Sequence, residues 1–420
     1  MEKSNAHWKA AHPLLFIAGT LMAGLILATL FLSHSHYPFY AIVIIAIGLL
    51  ILQGSLLLPI PSFVRSILVL FILLSWGASI YLATQEKNLI HLPYPKPWVE
   101  WCRNWVVKKI NATIVSKEAT SFALALLLGI KSDLNKELLQ AYTQLGIIHI
   151  VAISGMHLEI IFKNLTRITQ WMPRRKIYLL LELVMVLAGV WLYTLMAFGS
   201  PSIVRASVFF SIYFIGKFLQ QSNYTLNTIA GGILILLFFD VNNIENIGLQ
   251  LSYAAVIGIH LFYPLLNKML PMDNPLLSFL WSNLCVSVAA QLMTLPILIY
   301  HFHQIATLVI VSNFIMVPLS NILLYSLVIL VICPSVVNLS FIMGHWIEGF
   351  ILWINACIRY FYEQPISSSI QVHFGPIQIA LYYAVLWLVY KWLDKKHAHY
   401  LLYLLVLIVG YRLLKLFSLV

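Results

Sequence analysis

Charge is what this chain has least of. Only 9% of its 420 residues are Asp, Glu, Lys or Arg, against 61% hydrophobic. So few charges cannot wet the surface of a water-soluble protein of this length, which excludes an ordinary soluble enzyme or binding module. Cysteine is nearly as scarce: Cys102, Cys285, Cys333 and Cys357 have no CxxC spacing, and the last three sit in apolar runs. Neither a disulfide framework nor a zinc site follows. No GxxxxGK[ST] run is present either, so the chain carries no phosphate-binding loop of the kind that drives ATP-fuelled motors. No cofactor is implied.

What fills the sequence instead is long apolar runs. Segments able to cross a hydrocarbon core of roughly 30 Å recur from end to end, which predicts an all-α, polytopic transmembrane helical bundle of about 11–13 spans or re-entrant segments. A short polar segment with Lys3 and Lys9 precedes the first run at 14–32. Because more spans follow at once, it reads as an uncleaved first helix. Further spans are expected near 39–58, 63–83, 177–197, 203–219, 225–239, 249–266, 278–300, 305–332, 340–362, 375–393 and 398–418. The corresponding organisation is 1–84 as three N-terminal spans, 85–145 as a non-spanning region, 146–335 as a core and 336–420 as C-terminal spans.

The net charge of +11 is accounted for by the excess of Lys and Arg that membrane proteins carry on cytoplasmic loops. Lys163, Arg167, Arg174, Arg175 and Lys176 form the clearest basic block and place that loop, and by counting spans the N-terminus, in the cytoplasm. The loop Lys391 to Lys396 falls on the same side, whereas Arg412 and Lys415 fall on the outer side. Residues 85–145 hold eight basic and five acidic residues and are expected outside. There Trp98, Trp101, Cys102, Trp105, Val106 and Ile110 recur at helical spacing opposite Arg103, Lys108 and Lys109, as in an amphipathic helix lying at the headgroup level. Base stacking on single-stranded nucleic acid is the functional alternative for these tryptophans.

One run departs from the apolar background. His149-Ile150-Val151-Ala152-Ile153-Ser154-Gly155-Met156-His157 places two imidazoles and a hydroxyl where polar groups are expensive and survive mainly by facing protein, water or a permeant. Gly146 and Gly155 bracket eight residues, a punctuation suited to a re-entrant or broken helix. In an unbroken helix Ser154 and His157 share a face, with His149 about 80° round. A hydrolase reading makes Ser154 a nucleophile and His157 its base, but the nearest acid, Glu159, points away. A metal reading fails on spacing, because imidazoles eight residues apart are not an HxxxH pair. The plain alternative is polar glue between packed helices.

This run, HxxAxSGxH, resembles the signature of the ComEC family of competence proteins. Further landmarks follow in order: LLLGI at 126–130 before it, then PSIVRA at 201–206, GLQLSYAAV at 248–256, AQLMTLPI at 290–297, His301-Phe302 and SNFIMVPL at 312–319. The resemblance covers roughly 120–335 and continues more weakly beyond. It implies an inner-membrane channel, not an enzyme, that passes single-stranded transforming DNA into the cytoplasm. A periplasmic DNA receptor and a cytoplasmic helicase-like motor are implied as partners, besides membrane lipid. Members of full length also carry an OB-fold region and a metallo-β-lactamase-like domain, for which this chain as it stands has no room. A separate nuclease is therefore expected to supply the single strand. Glu159 stands where a small residue is expected.

A strand with one negative charge per nucleotide needs a wet, polar-lined path with few cations, because dense Arg and Lys would hold it fast. The expected lining is His149, Ser154, His157, Gln250, Ser252, Gln291, Thr294 and Asn313, with Arg205 attracting phosphate at the outer mouth or, equally, snorkelling to headgroups. Pro201, Pro264, Pro296 and Pro318 fall near these groups and free backbone carbonyls to line the path. Glu348 and Arg359, roughly 16 Å apart along a helix, need separate partners. Glu182 is expected to reach the basic loop. The competing functions are an intramembrane hydrolase using Ser154 and His157 and a transporter of a small anionic metabolite; no second copy of the histidine motif supports the inverted repeat that a transporter would show.

Overall fold

A computed structural model describes residues 97–173, 175–219, 225–333, 337–403 and 405. The runs at 14–32, 39–58 and 63–83, and most of 398–418, lie outside the described residues. The rest is helical except for two three-residue strands. In order come α1 (Pro97–Thr113), α2 (Lys117–Leu128), α3 (Lys136–Gln144), α4 (Ile148–Val151), α5 (Gly155–Thr169), α6 (Lys176–Met196), α7 (Pro201–Phe218) and α8 (Thr225–Phe239). Then follow α9 (Ile247–Asn267), α10 (Pro275–Phe302), β1 (Gln304–Ala306), α11 (Val309–Ile332), α12 (Val337–Glu363), β2 (Ser369–Gln371) and α13 (Pro376–Lys395).

Among the described residues α6, α9, α10, α11 and Leu339–Glu363 of α12 are long and apolar enough to cross a bilayer, and the chain is a multi-pass membrane protein. The runs expected at 203–219, 225–239 and 375–393 are helical too, but they are shorter or more polar than those five. The expected span at 305–332 starts later. His303 takes a left-handed φ of 55° and ends α10, after which Gln304–Ala306 pairs antiparallel with Ser369–Gln371. Backbone pairing with β2 thus claims residues that an apolar count alone assigns to a helix.

The chain divides into two compact units, one of 1–96, 161–195 and 203–249, the other of 97–160, 196–202 and 250–420. In the second, α12 is the spine. Its Ile347, Ile351, Ile354 and Ile358, at helical spacing, are buried under α1, α2, α3 and α11. Gly344 permits the closest approach, since a Cβ there would collide with the Thr113 carbonyl at the end of α1. The face of α1 that packs inward carries Val99, Val106, Ile110 and Thr113. Trp98, Trp101 and Trp105 stay exposed on the neighbouring face, so the tryptophans and Ile110 do not form one stripe.

Polar groups along α12 find partners on the short helices. The Glu348 carboxylate accepts from the N–H groups of Val115 and Ser116 at 2.9 and 3.1 Å, where the positive end of the α2 dipole favours an anion. Glu118 accepts from Arg359 at 2.8 Å and from Asn355 Nδ2 at 2.9 Å. The Tyr142 hydroxyl donates to Asn355 Oδ1 at 3.2 Å. Burial, and secondarily the Glu118 carboxylate, pushes that hydroxyl well above its ordinary pKa, so it remains a donor. Glu348 and Arg359 therefore do have separate partners, both on the segment before the histidine motif.

In α10, Pro296 removes the N–H that would have bonded the Leu292 carbonyl. That carbonyl accepts from Tyr382 of α13 at 3.1 Å, and the Met293 carbonyl from Tyr383 at 2.9 Å. The freed carbonyl is thus satisfied by a packed tyrosine rather than left to line a path. In the first unit, Trp191 donates to Ser211 at 3.2 Å and Thr194 bonds Ser207, linking α6 to α7. Glu182 accepts from Thr169 at 3.2 Å, at the end of α5 that opens the basic loop. Such links contribute of order 0.6 kcal/mol each in membrane proteins.

Candidate functional site

The histidine motif is a broken helix. α3 ends at Gly146, whose φ of +74° suits glycine, and α4 makes one turn before Ala152–Ser154 leave the helical path and α5 restarts at Gly155. Two other landmark runs clamp the break. Ser202 Oγ, from PSIVRA, donates to the Ile153 carbonyl at 2.6 Å. Gly129, from LLLGI, sits at φ +72° with its α-carbon so close that an added Cβ would stand 3.2 Å from Ile153.

At the restart, the Ser154 N–H donates to His157 Nδ1 at 3.1 Å, and Ser154 Oγ lies 2.9 Å from the same nitrogen. A ring nitrogen that accepts carries no proton, so the imidazole is neutral with its hydrogen on Nε2. His157 is 0% exposed, and Nε2 has no partner among the described residues. The geometry is that of a capping box: the third helical residue reaches back to the N-cap backbone N–H, with histidine in the place usually held by Glu or Gln. In a hydrolase a carboxylate would orient the imidazole; here Nδ1 accepts from the backbone, and among the described residues no carboxylate bonds Nε2.

The break removes the premise of an unbroken helix, on which Ser154 and His157 share a face and His149 lies about 80° round. His149 is exposed while His157 is buried. Gln250 and His301 are brought together, Oε1 to Nε2, at 3.2 Å. Thr294 donates to the Ala290 carbonyl of its own helix at 3.1 Å. Ser252 and Gln291 are half-buried, and Asn313 has a buried Oδ1 without a partner among the described residues. Arg205 belongs to the other unit. It is 8% exposed, and its guanidinium lies against Gly248 at the start of α9, where a Cβ would be 3.4 Å from it.

Sequence reasoning missed the Tyr142–Asn355–Glu118–Arg359 network and the cleft of about 410 Å³ beside the α1–α2 turn, lined in part by Asn111, Lys117, Thr120, Ser121 and Asp133. No spacing rule links residues more than two hundred positions apart. The cap at Ser154 was findable, since a serine three residues before the histidine follows a glycine-punctuated break. Among the described residues no cluster of three or more His, Cys, Asp or Glu could hold a metal.

A family profile described as "Competence protein" matches residues 126–396, more than half of the chain. The chain belongs to the competence protein family. Every landmark run described above falls in that stretch, from LLLGI through SNFIMVPL. ComE operon protein 3 of Bacillus subtilis (strain 168) is 26% identical over 298 residues, which is 70% of this chain and 37% of that protein. The chain therefore spans well under half the length of this relative. No solved structure is significantly similar.

Proposed function

We propose that this family member is an inner-membrane conduit for single-stranded DNA taken up during natural competence. Family membership across residues 126–396 carries the reading. What supports it physically is that helices apolar enough to span a bilayer hold buried polar atoms, Asn283 Nδ2 and Asn313 Oδ1 among them, without a partner among the described residues. In hydrocarbon such groups are costly, and a wetted polar path gives them a role.

In this reading the basic loop at 163–176 faces the cytoplasm, so β1 and β2 lie on the outer side and the chain from Asn267 to Pro275 on the inner side. A DNA receptor outside, a helicase-like motor inside and a nuclease that prepares the strand act with it, and the force comes from those partners. A strain lacking the gene is expected to bring labelled DNA across the outer barriers and accumulate it outside the cytoplasm; normal cytoplasmic delivery would refute the proposal.

Arg205 supplies a sharper test. Arg205→Glu places an anion where phosphate is to be attracted and should lower uptake about tenfold more than Arg205→Gln, which only removes the attraction, a difference of about 1.4 kcal/mol. Equal uptake by the two variants at equal membrane levels would remove this arginine from the mechanism.

A further inference from the structure

Five buried polar atoms on two adjacent spanning helices have no partner among the described residues. They are Trp281 Nε1, Asn283 Nδ2 and Ser287 Oγ on α10, and Asn313 Oδ1 and Asn321 Oδ1 on α11. Each unpaired buried group of this kind costs about 1–3 kcal/mol, and a bilayer offers no water to relieve it.

On α10 two of the three, Asn283 and Ser287, share one side, while Trp281 lies about 160° round from Asn283. At about 100° per residue, Asn283, Ser287 and Gln291 fall within an arc of about 80° on α10. The opposite face of α10 is the one that packs on neighbours. Cys285 is 2% exposed there, the Ala289 carbonyl abuts Gly258 of α9, and Ala289 clusters with Phe262 and with Leu386 of α13. One side of α10 thus packs an apolar wall, while the other carries the Asn283 amide nitrogen and the Ser287 hydroxyl, both without partners among the described residues, and the Gln291 amide. α11, which packs on α10, contributes two more unmatched amides.

We infer that the Asn283–Ser287–Gln291 face of α10, with Asn313 and Asn321 of α11, lines a lane that fills with water and is shut in this conformation. This rests on the proposed conduit and extends its lining inward from Gln291 toward the Asn267–Pro275 connection. Wetting removes the penalty on the unmatched atoms, so the shut state is held with little margin. Neutral amides and hydroxyls donate to phosphate oxygens and pair with base edges without trapping a strand, as dense cations would.

The test uses the full chain in its native membrane, with Cys102, Cys333 and Cys357 changed to Ser and Cys285 kept as the internal control on the packed face. Thiols react as thiolates, which form in water. In a Ser287→Cys variant, a charged, water-soluble methanethiosulfonate should modify residue 287 about tenfold faster than Cys285; equal rates would overturn the inference. A second variant, Ser287→Val, removes an unmatched hydroxyl. It should raise the thermal midpoint and lower DNA uptake, and unchanged uptake would exclude the lane from the path. Slow labelling at residue 287, with uptake still lost in the deletion strain, sinks the lane and leaves the conduit. Fast labelling with normal delivery in that strain sinks the conduit and leaves a water-filled lane.

Discussion

His157→Leu is expected to cut DNA uptake about a hundredfold, whereas His157→Gln should keep most of it. Leucine leaves the Ser154 N–H buried without an acceptor at the point where the broken helix restarts, a local loss of about 1–2 kcal/mol. The turn at Ala152–Ser154 is also where Ser202 and Gly129 converge, so its misplacement spreads to two other segments. Glutamine is a natural occupant of the third position in a capping box and can return its Oε1 to the same N–H. Transformation frequency at matched protein levels decides the matter. If glutamine proves as harmful as leucine, the imidazole does something that a cap cannot, and acid–base or ligand chemistry at Nε2 becomes the stronger account.

The second large effect concerns stability. Glu118→Ala removes the one acceptor shared by Arg359 and Asn355, leaving a cation on a spanning helix and a fully buried amide unmatched. An ion pair exposed to water is worth little. Arg359, however, sits on α12, near enough to its end to snorkel, which sets the expected loss at about 2 kcal/mol rather than the larger value of a bilayer centre. The double variant Glu118→Ala with Arg359→Met should recover most of that loss in detergent unfolding. Additive losses would show that the two side chains do not act as a pair.

Much of the fold was legible because apolar length is a strong signal: α6, α9, α10 and α12 begin and end within a few residues of the expected runs. The break in the histidine motif was legible from its flanking glycines. Less visible was what depends on distant partners. An apolar count extended α11 into Ile305 and Ala306, which pair as part of a strand instead. The freed carbonyl before Pro296 was expected on a path, but Tyr382 fills it. The three-residue spacing of Ser154 and His157 pointed to a shared face and not to a cap, because the same spacing serves both. Arg205 was placed at the start of a span from sequence; only packing against Gly248 shows that it is buried.

The small β1–β2 pair has mechanical weight beyond its three residues a side. It ties the turn that follows α10 to the turn that follows α12, and the Val372 N–H adds a bond to the His303 carbonyl at 3.0 Å. Two helical hairpins stapled at one end cannot slide past each other, but they can splay like the blades of shears. The excursion is then least at the staple and grows with distance from it. Asn283 lies nineteen positions before Phe302, roughly 28 Å along α10 at 1.5 Å per residue, so a tilt of a few degrees too small to strain the staple displaces that asparagine more than Ser287 or Gln291.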